Sequence, residues 1–132
     1  YGKELDSKGV SPEERKEKMA AFTQGLISVN NPWMRYFIAT DPALFWSKVK
    51  CPVLALNGEK DLQVSHEINL PAIKAALRSG GNRKVKTVML PGLNHLFQTS
   101  EKGSPDEYIK IEETFSPDAM GVMTSWIKKT VK

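Results

Sequence analysis

The chain has 132 residues, with 19 Lys plus Arg against 15 Asp plus Glu and a formal net charge of +4. Its length suits one domain, and 40% hydrophobic with 26% charged residues can build a core, which excludes a chain disordered by composition. No apolar run approaches the roughly 18 residues of a membrane-spanning helix, and the lone Cys51 excludes an internal disulfide or a multi-cysteine zinc site.

The polar opening, residues 1–10, has no signal-peptide pattern. It starts at Tyr1 rather than Met, so the expectation is a soluble piece of a longer protein whose localisation is not encoded here. Ser11-Pro12-Glu13-Glu14 predicts a helix start, with a capping serine, proline at the first helical position and the glutamate of a capping box. Met19, Phe22, Leu26 and Val29 continue at helical spacing as one apolar face. Asn31-Pro32 and Asp41-Pro42 repeat the cap-then-proline signal and predict short helices over 33–39 and 43–49. The aromatic residues there, Trp33, Phe37, Phe45 and Trp46, read first as packing and second as a pocket wall.

Pro52 opens a different pattern. Val53-Leu54-Ala55-Leu56, stopped by Asn57-Gly58, is the short continuous run expected of a strand buried on both faces. A helical stretch follows, with Pro71 near its start and Gly80-Gly81 at its end. A second strand is predicted over 85–90, stopped by Pro91-Gly92. Strand, helix and strand at this spacing make a βαβ unit with parallel strands and a right-handed crossover. A long polar connection, 98–115, should be anchored by Tyr108, Ile109 and Ile111. Ser116-Pro117-Asp118 starts the last helix, whose stripe of Met120, Met123, Trp126 and Ile127 should lie on the sheet. Two parallel strands alone make a poor sheet, so the sheet is expected to continue in polypeptide outside this chain. The basic stretches 78–86 and 128–132 read as helix ends followed by solvent. A nucleic-acid patch is disfavoured because no aromatic residues interleave with those charges.

The chemistry concentrates in two post-strand turns, Asn57-Gly58-Glu59-Lys60-Asp61 and Pro91-Gly92-Leu93-Asn94-His95. Parallel strands deliver both to one carboxyl edge, where open α/β sheets place their ligands. Adjacent strands lie about 4.8 Å apart, so Asp61 and His95 should meet. A carboxylate beside an imidazole can hold the ring in one tautomer and stabilise the imidazolium formed when it takes a proton. Singly, an Asp in a turn and a His in a loop are ordinary residues; the signal is their joint placement.

Residues 50–61, Lys-Cys-Pro-Val-Leu-Ala-Leu-Asn-Gly-Glu-Lys-Asp, resemble the acid-bearing strand and turn of α/β-hydrolases, and residues 90–97 resemble their histidine loop. The resemblance spans nearly the whole chain and is closest to bacterial serine hydrolases of the aminopeptidase- or esterase-like branch. Gly103-Ser104-Pro105-Asp106-Glu107-Tyr108 and Ile111-Glu112-Glu113-Thr114 are similar to that branch too. It implies cap-like helices over 1–50, a C-terminal α/β-hydrolase half over 51–132, Asp61 as triad acid and His95 as general base. One departure is large. The family order is Ser, acid, His, with the serine in G-x-S-x-G. No serine here has glycines two before and two after, and no oxyanion-hole loop has a counterpart.

The expectation is therefore the C-terminal portion of a serine hydrolase acting on ester, thioester or amide bonds of a small-molecule or peptide substrate. The nucleophile would come from the missing N-terminal half, with no cofactor and no metal. Leu62, Leu96 and Phe97, flanking the two residues, are candidate substrate contacts or packing residues. The alternative is a non-catalytic α/β module that self-associates, edge-paired or swapped, or binds a protein through its free strand edge. His66-Glu67 with Asp61 makes a poor metal set, because the two histidines lack ligand spacing. Cys51 reads as buried packing rather than a nucleophile. Neither nucleic acid nor membrane is an expected partner.

Overall fold

A computed structural model describes residues 10–131, which divide after Asp41 into two compact units. The first holds α1 (Pro12–Val29) and α2 (Pro32–Ala39). Both helices start as their caps predict: Ser11 Oγ accepts from Glu14 N, Asn31 Oδ1 accepts from Met34 N, and a proline opens each. Their apolar faces are not buried. Trp33, Phe37, Tyr36 and Leu26 are all exposed, and Trp33 stacks on Phe37 with ring centroids 5.4 Å apart. Of the four aromatics expected to pack, Trp33, Phe37 and Phe45 are exposed and Trp46 is half-buried, because spacing shows that a face is apolar but not what covers it.

The second unit is mixed α/β: α3 (Ala43–Trp46), β1 (Val53–Gly58), α4 (His66–Ser79), β2 (Val85–Leu90), a 3₁₀ helix (Pro105–Lys110) and α5 (Pro117–Thr130). The division falls before α3, not at residue 50, because the segment after Asp41 is bonded to the strand-and-helix body. Asn82 Nδ2 donates to Val49 O at 3.0 Å and Cys51 O at 2.8 Å. Gly80 passes so close to Ser47 that a Cβ there would lie 1.7 Å from its carbonyl oxygen. Helix α3 ends three residues earlier than its pattern suggests.

β1 and β2 pair in parallel, with Val53 opposite Val85 and Gly58 opposite Leu90. Helix α4 is the crossover. It contributes Leu70, Ala76 and Leu77 to the interior and tolerates Pro71 within it. Leu90, Leu93 and Ala119 form a buried cluster, packed against Leu56, Val88, Phe97, Phe115 and Val122.

β1 is half-buried along 53–56 rather than covered on both faces. Val53 N donates to Lys84 O and Glu59 N to Leu90 O. Alternation along a strand then turns the amides of Leu54 and Leu56 away from β2, which makes this edge unpaired among the described residues. An open apolar groove of about 350 Å³, lined by Leu54, Leu56, Met123, Trp126 and Ile127 among others, lies along β1. The inward face of α5 is accordingly rotated from the expected stripe. Ala119 is fully buried, while Met120 and Ile127 are about half exposed.

Two further readings are corrected. Cys51 is exposed, since it precedes the strand instead of lying in it. Ile109 is 91% exposed and anchors nothing. Tyr108 instead ties the connection to the acid turn, its hydroxyl accepting from Gln63 Nε2 at 3.2 Å.

Candidate active site

Both turns emerge from the carboxyl ends of the paired strands and are bonded to each other. Glu59 N donates to Leu90 O and Lys60 N to Leu93 O, each at 2.9 Å. Gly92 N donates back to Glu59 Oε2 at 2.8 Å, and Lys60 Nζ donates to Ser100 O at 2.7 Å. The placement of the acid relative to the ring is therefore set by backbone as well as by side chains.

The structure brings Asp61 and His95 together. His95 Nδ1 lies 3.1 Å from Asp61 Oδ1 and 3.0 Å from Oδ2. An ionised carboxylate only accepts, so Nδ1 carries a proton, and in the neutral ring Nε2 presents its lone pair. The Asp61 side chain is 6% exposed and that of His95 35%, which leaves the acid shielded and the ring accessible. Burial alone would raise the pKa of Asp61. The hydrogen bond from His95, the amides of Val64 and Gln63, and the charge of the ring outweigh it and hold the carboxyl below its ordinary range. Such a pair can orient an imidazole and stabilise its protonated form. Among the described residues no Ser, Thr or Cys side chain hydrogen-bonds His95.

The other candidate residues separate. Leu62 and Leu96 stand at the surface, 66% and 44% exposed. Phe97 turns into the core cluster, its ring centroid 5.4 Å from that of Phe115, through a backbone φ of +57°. It is a packing residue. No three His, Cys, Asp or Glu side chains among the described residues group as a metal-ligand set, and no described helix is long and apolar enough to cross a membrane. Trp126 lines a cleft of about 420 Å³ with Arg83, Lys84 and Lys86. An aromatic thus stands beside a basic stretch from which it is far in sequence, and linear order conceals that.

Sequence reasoning missed two buried amides. Asn94, fully buried, accepts through Oδ1 from Leu96 N and Gln98 N, both at 2.9 Å, and donates to Gln98 Oε1. It locks the loop that carries His95. Asn57, 6% exposed, donates to Asp61 Oδ2 and Val64 O. Asn94 directly precedes His95 and Asn57 lies four residues before Asp61, and that proximity is the only signal the sequence offered. The connection after the histidine loop is ordered by Glu107, which accepts from Ser100 Oγ and from the amides of Lys102 and Gly103. No family model matches the chain, and no curated protein or solved structure matches it with significance.

Proposed function

We propose that this chain is the C-terminal, acid-and-base-bearing portion of an α/β-hydrolase-like serine hydrolase that cleaves ester, thioester or amide bonds by acyl transfer. The observation that carries this reading is the contact of a shielded, ionised Asp61 with an accessible His95 at the carboxyl ends of adjacent parallel strands. In it, His95 Nε2 takes the proton of a serine hydroxyl supplied by polypeptide outside this chain and later returns it to the leaving group. Asp61 keeps the ring in the Nδ1–H tautomer and stabilises the imidazolium. The oxyanion donors come from outside the chain as well. Leu62 and Leu96, exposed and next in sequence to Asp61 and His95, are the candidate contacts for a carbon-rich substrate.

The 132-residue chain alone should neither hydrolyse activated esters nor be labelled by a serine-directed fluorophosphonate. In the protein that joins it to its nucleophile, Asp61→Asn should lower kcat by about 10⁴, by analogy with other triads. A loss under tenfold, or turnover by the chain alone that disappears in His95→Ala, would overturn the proposal.

A second reading draws on the unpaired edge of β1 beside its apolar groove. A free strand edge templates further pairing, so a module that self-associates through β1 is the competing function.

A further inference from the structure

We infer that Asn57 is the positioning residue of the Asp61 carboxylate. Its amide joins the acid to the strand and sets the orientation of the carboxylate that faces His95. The inference deepens the proposed function and rests on the same Asp61–His95 pair.

Asn57 is the next-to-last residue of β1. Its Nδ2 lies 3.0 Å from Asp61 Oδ2 and 3.0 Å from Val64 O. Both partners are acceptors only, so the NH₂ group, not the amide oxygen, must face them. Both of its hydrogens are thereby committed, one to the acid and one to the turn that follows it. The rest of the carboxylate's donor set has a different origin. Oδ1 accepts from the backbone N–H of Gln63 at 3.0 Å and of Val64 at 2.9 Å, and His95 Nδ1 bridges both oxygens.

The turn amides thus hold one oxygen, while Asn57, from the strand, shares the second with His95 and is its only other side-chain donor among the described residues.

The donor is also neutral, and the charged and titratable groups around the turn are engaged elsewhere. Glu59 Oε2 accepts from Gly92 N, Lys60 Nζ donates to Ser100 O, and the Tyr108 hydroxyl accepts from Gln63. His95 is the one ionisable side chain bonded to the acid among the described residues. A cation at position 57 would compete with the imidazolium for the carboxylate. A neutral amide orients it and leaves its charge available to the ring.

The test is a ¹³C titration of the Asp61 carboxyl in the 132-residue chain, with ¹⁵N spectra of the Asn57 amide and of the His95 ring. Asn57→Leu keeps the branched heavy-atom skeleton and removes the donor, and should raise the Asp61 titration by about half a pH unit or more. Asn57→Asp places two carboxyls about 3 Å apart, so one should titrate well above the ordinary range. A purely structural role would lower the melting temperature of Asn57→Leu and leave the Asp61 titration where it was, and that result overturns the inference.

If neither variant folds, the unaltered chain decides. The Asn57 Nδ2 signals should move as Asp61 titrates, and flat signals overturn the inference. Failure of the underlying pair has its own signature: His95 ring signals that stay unchanged in Asp61→Asn. If they respond to Asp61→Asn while Asp61 ignores Asn57→Leu, only this inference is lost.

Discussion

At Gly58 the absence of one methyl group determines how closely the acid turn and the histidine loop can approach. A Cβ there would lie 2.2 Å from Leu93 O and 2.6 Å from Asn94 O, both backbone atoms of the loop that carries His95. Neither can move without disturbing the bond from Lys60 N to Leu93 O. Gly58→Ala should therefore cost about 1–3 kcal/mol, the usual range for overpacking, measured by urea unfolding. The same variant should lengthen the Asp61–His95 contact, seen as loss of the Nδ1–H signal of the ring. A variant as stable as the parent chain would show that the loop yields freely. The residue matters here through space rather than through dihedral freedom, since its φ lies outside the left-handed region.

Among the elements, α4 anchors the sheet. Leu77 is fully buried and Leu70 and Ala76 nearly so, on the helix that connects the two strands. Truncating a buried leucine removes its transfer free energy and leaves a cavity that the surroundings fill only in part. Leu77→Ala should cost about 2–5 kcal/mol in denaturant unfolding followed by circular dichroism. A cost below 1 kcal/mol would mean that α4 is not the anchor. Helices α1 and α2 differ in kind. Their caps and prolines define where they begin, but α2 buries no residue, and Phe22, Leu26, Ile27 and Val29 of α1 are exposed. Tertiary packing supplies most helix stability in proteins, and these two receive little of it among the described residues.

For the whole molecule, the candidate site, the buried cluster and the buried residues of α4 lie in the unit that follows Asp41. Among the described residues the edge of β1 is unpaired, beside an apolar groove whose rim includes Ile127, 51% exposed. Strand edges of this kind recruit another strand unless a charge or a bulge blocks them. At high concentration the chain should self-associate in light scattering, and Ile127→Lys should return it to monomer with little loss of stability. A chain that stays monomeric at every concentration would remove the second functional reading. The hydrolase reading would stand, since it needs only the contact between Asp61 and His95.

What the sequence determined by itself was local. Caps with following prolines located α1, α2 and α5, the apolar run and its turn located β1, and the span 85–90 was that of β2. The meeting of Asp61 with His95 was legible too, because parallel strands of equal direction bring their following turns to one edge. The tertiary structure alone decided exposure and partnership. It left Cys51 and Ile109 in solvent, turned Phe97 inward, rotated α5 toward Ala119, and set Trp126 beside Arg83 and Lys84. It also gave Asn57 and Asn94 their hydrogen-bonding work. The reason is physical. A cap or a strand period is written in neighbouring residues, whereas burial and side-chain hydrogen bonds depend on which distant segment arrives opposite, and a single chain's linear order does not record that.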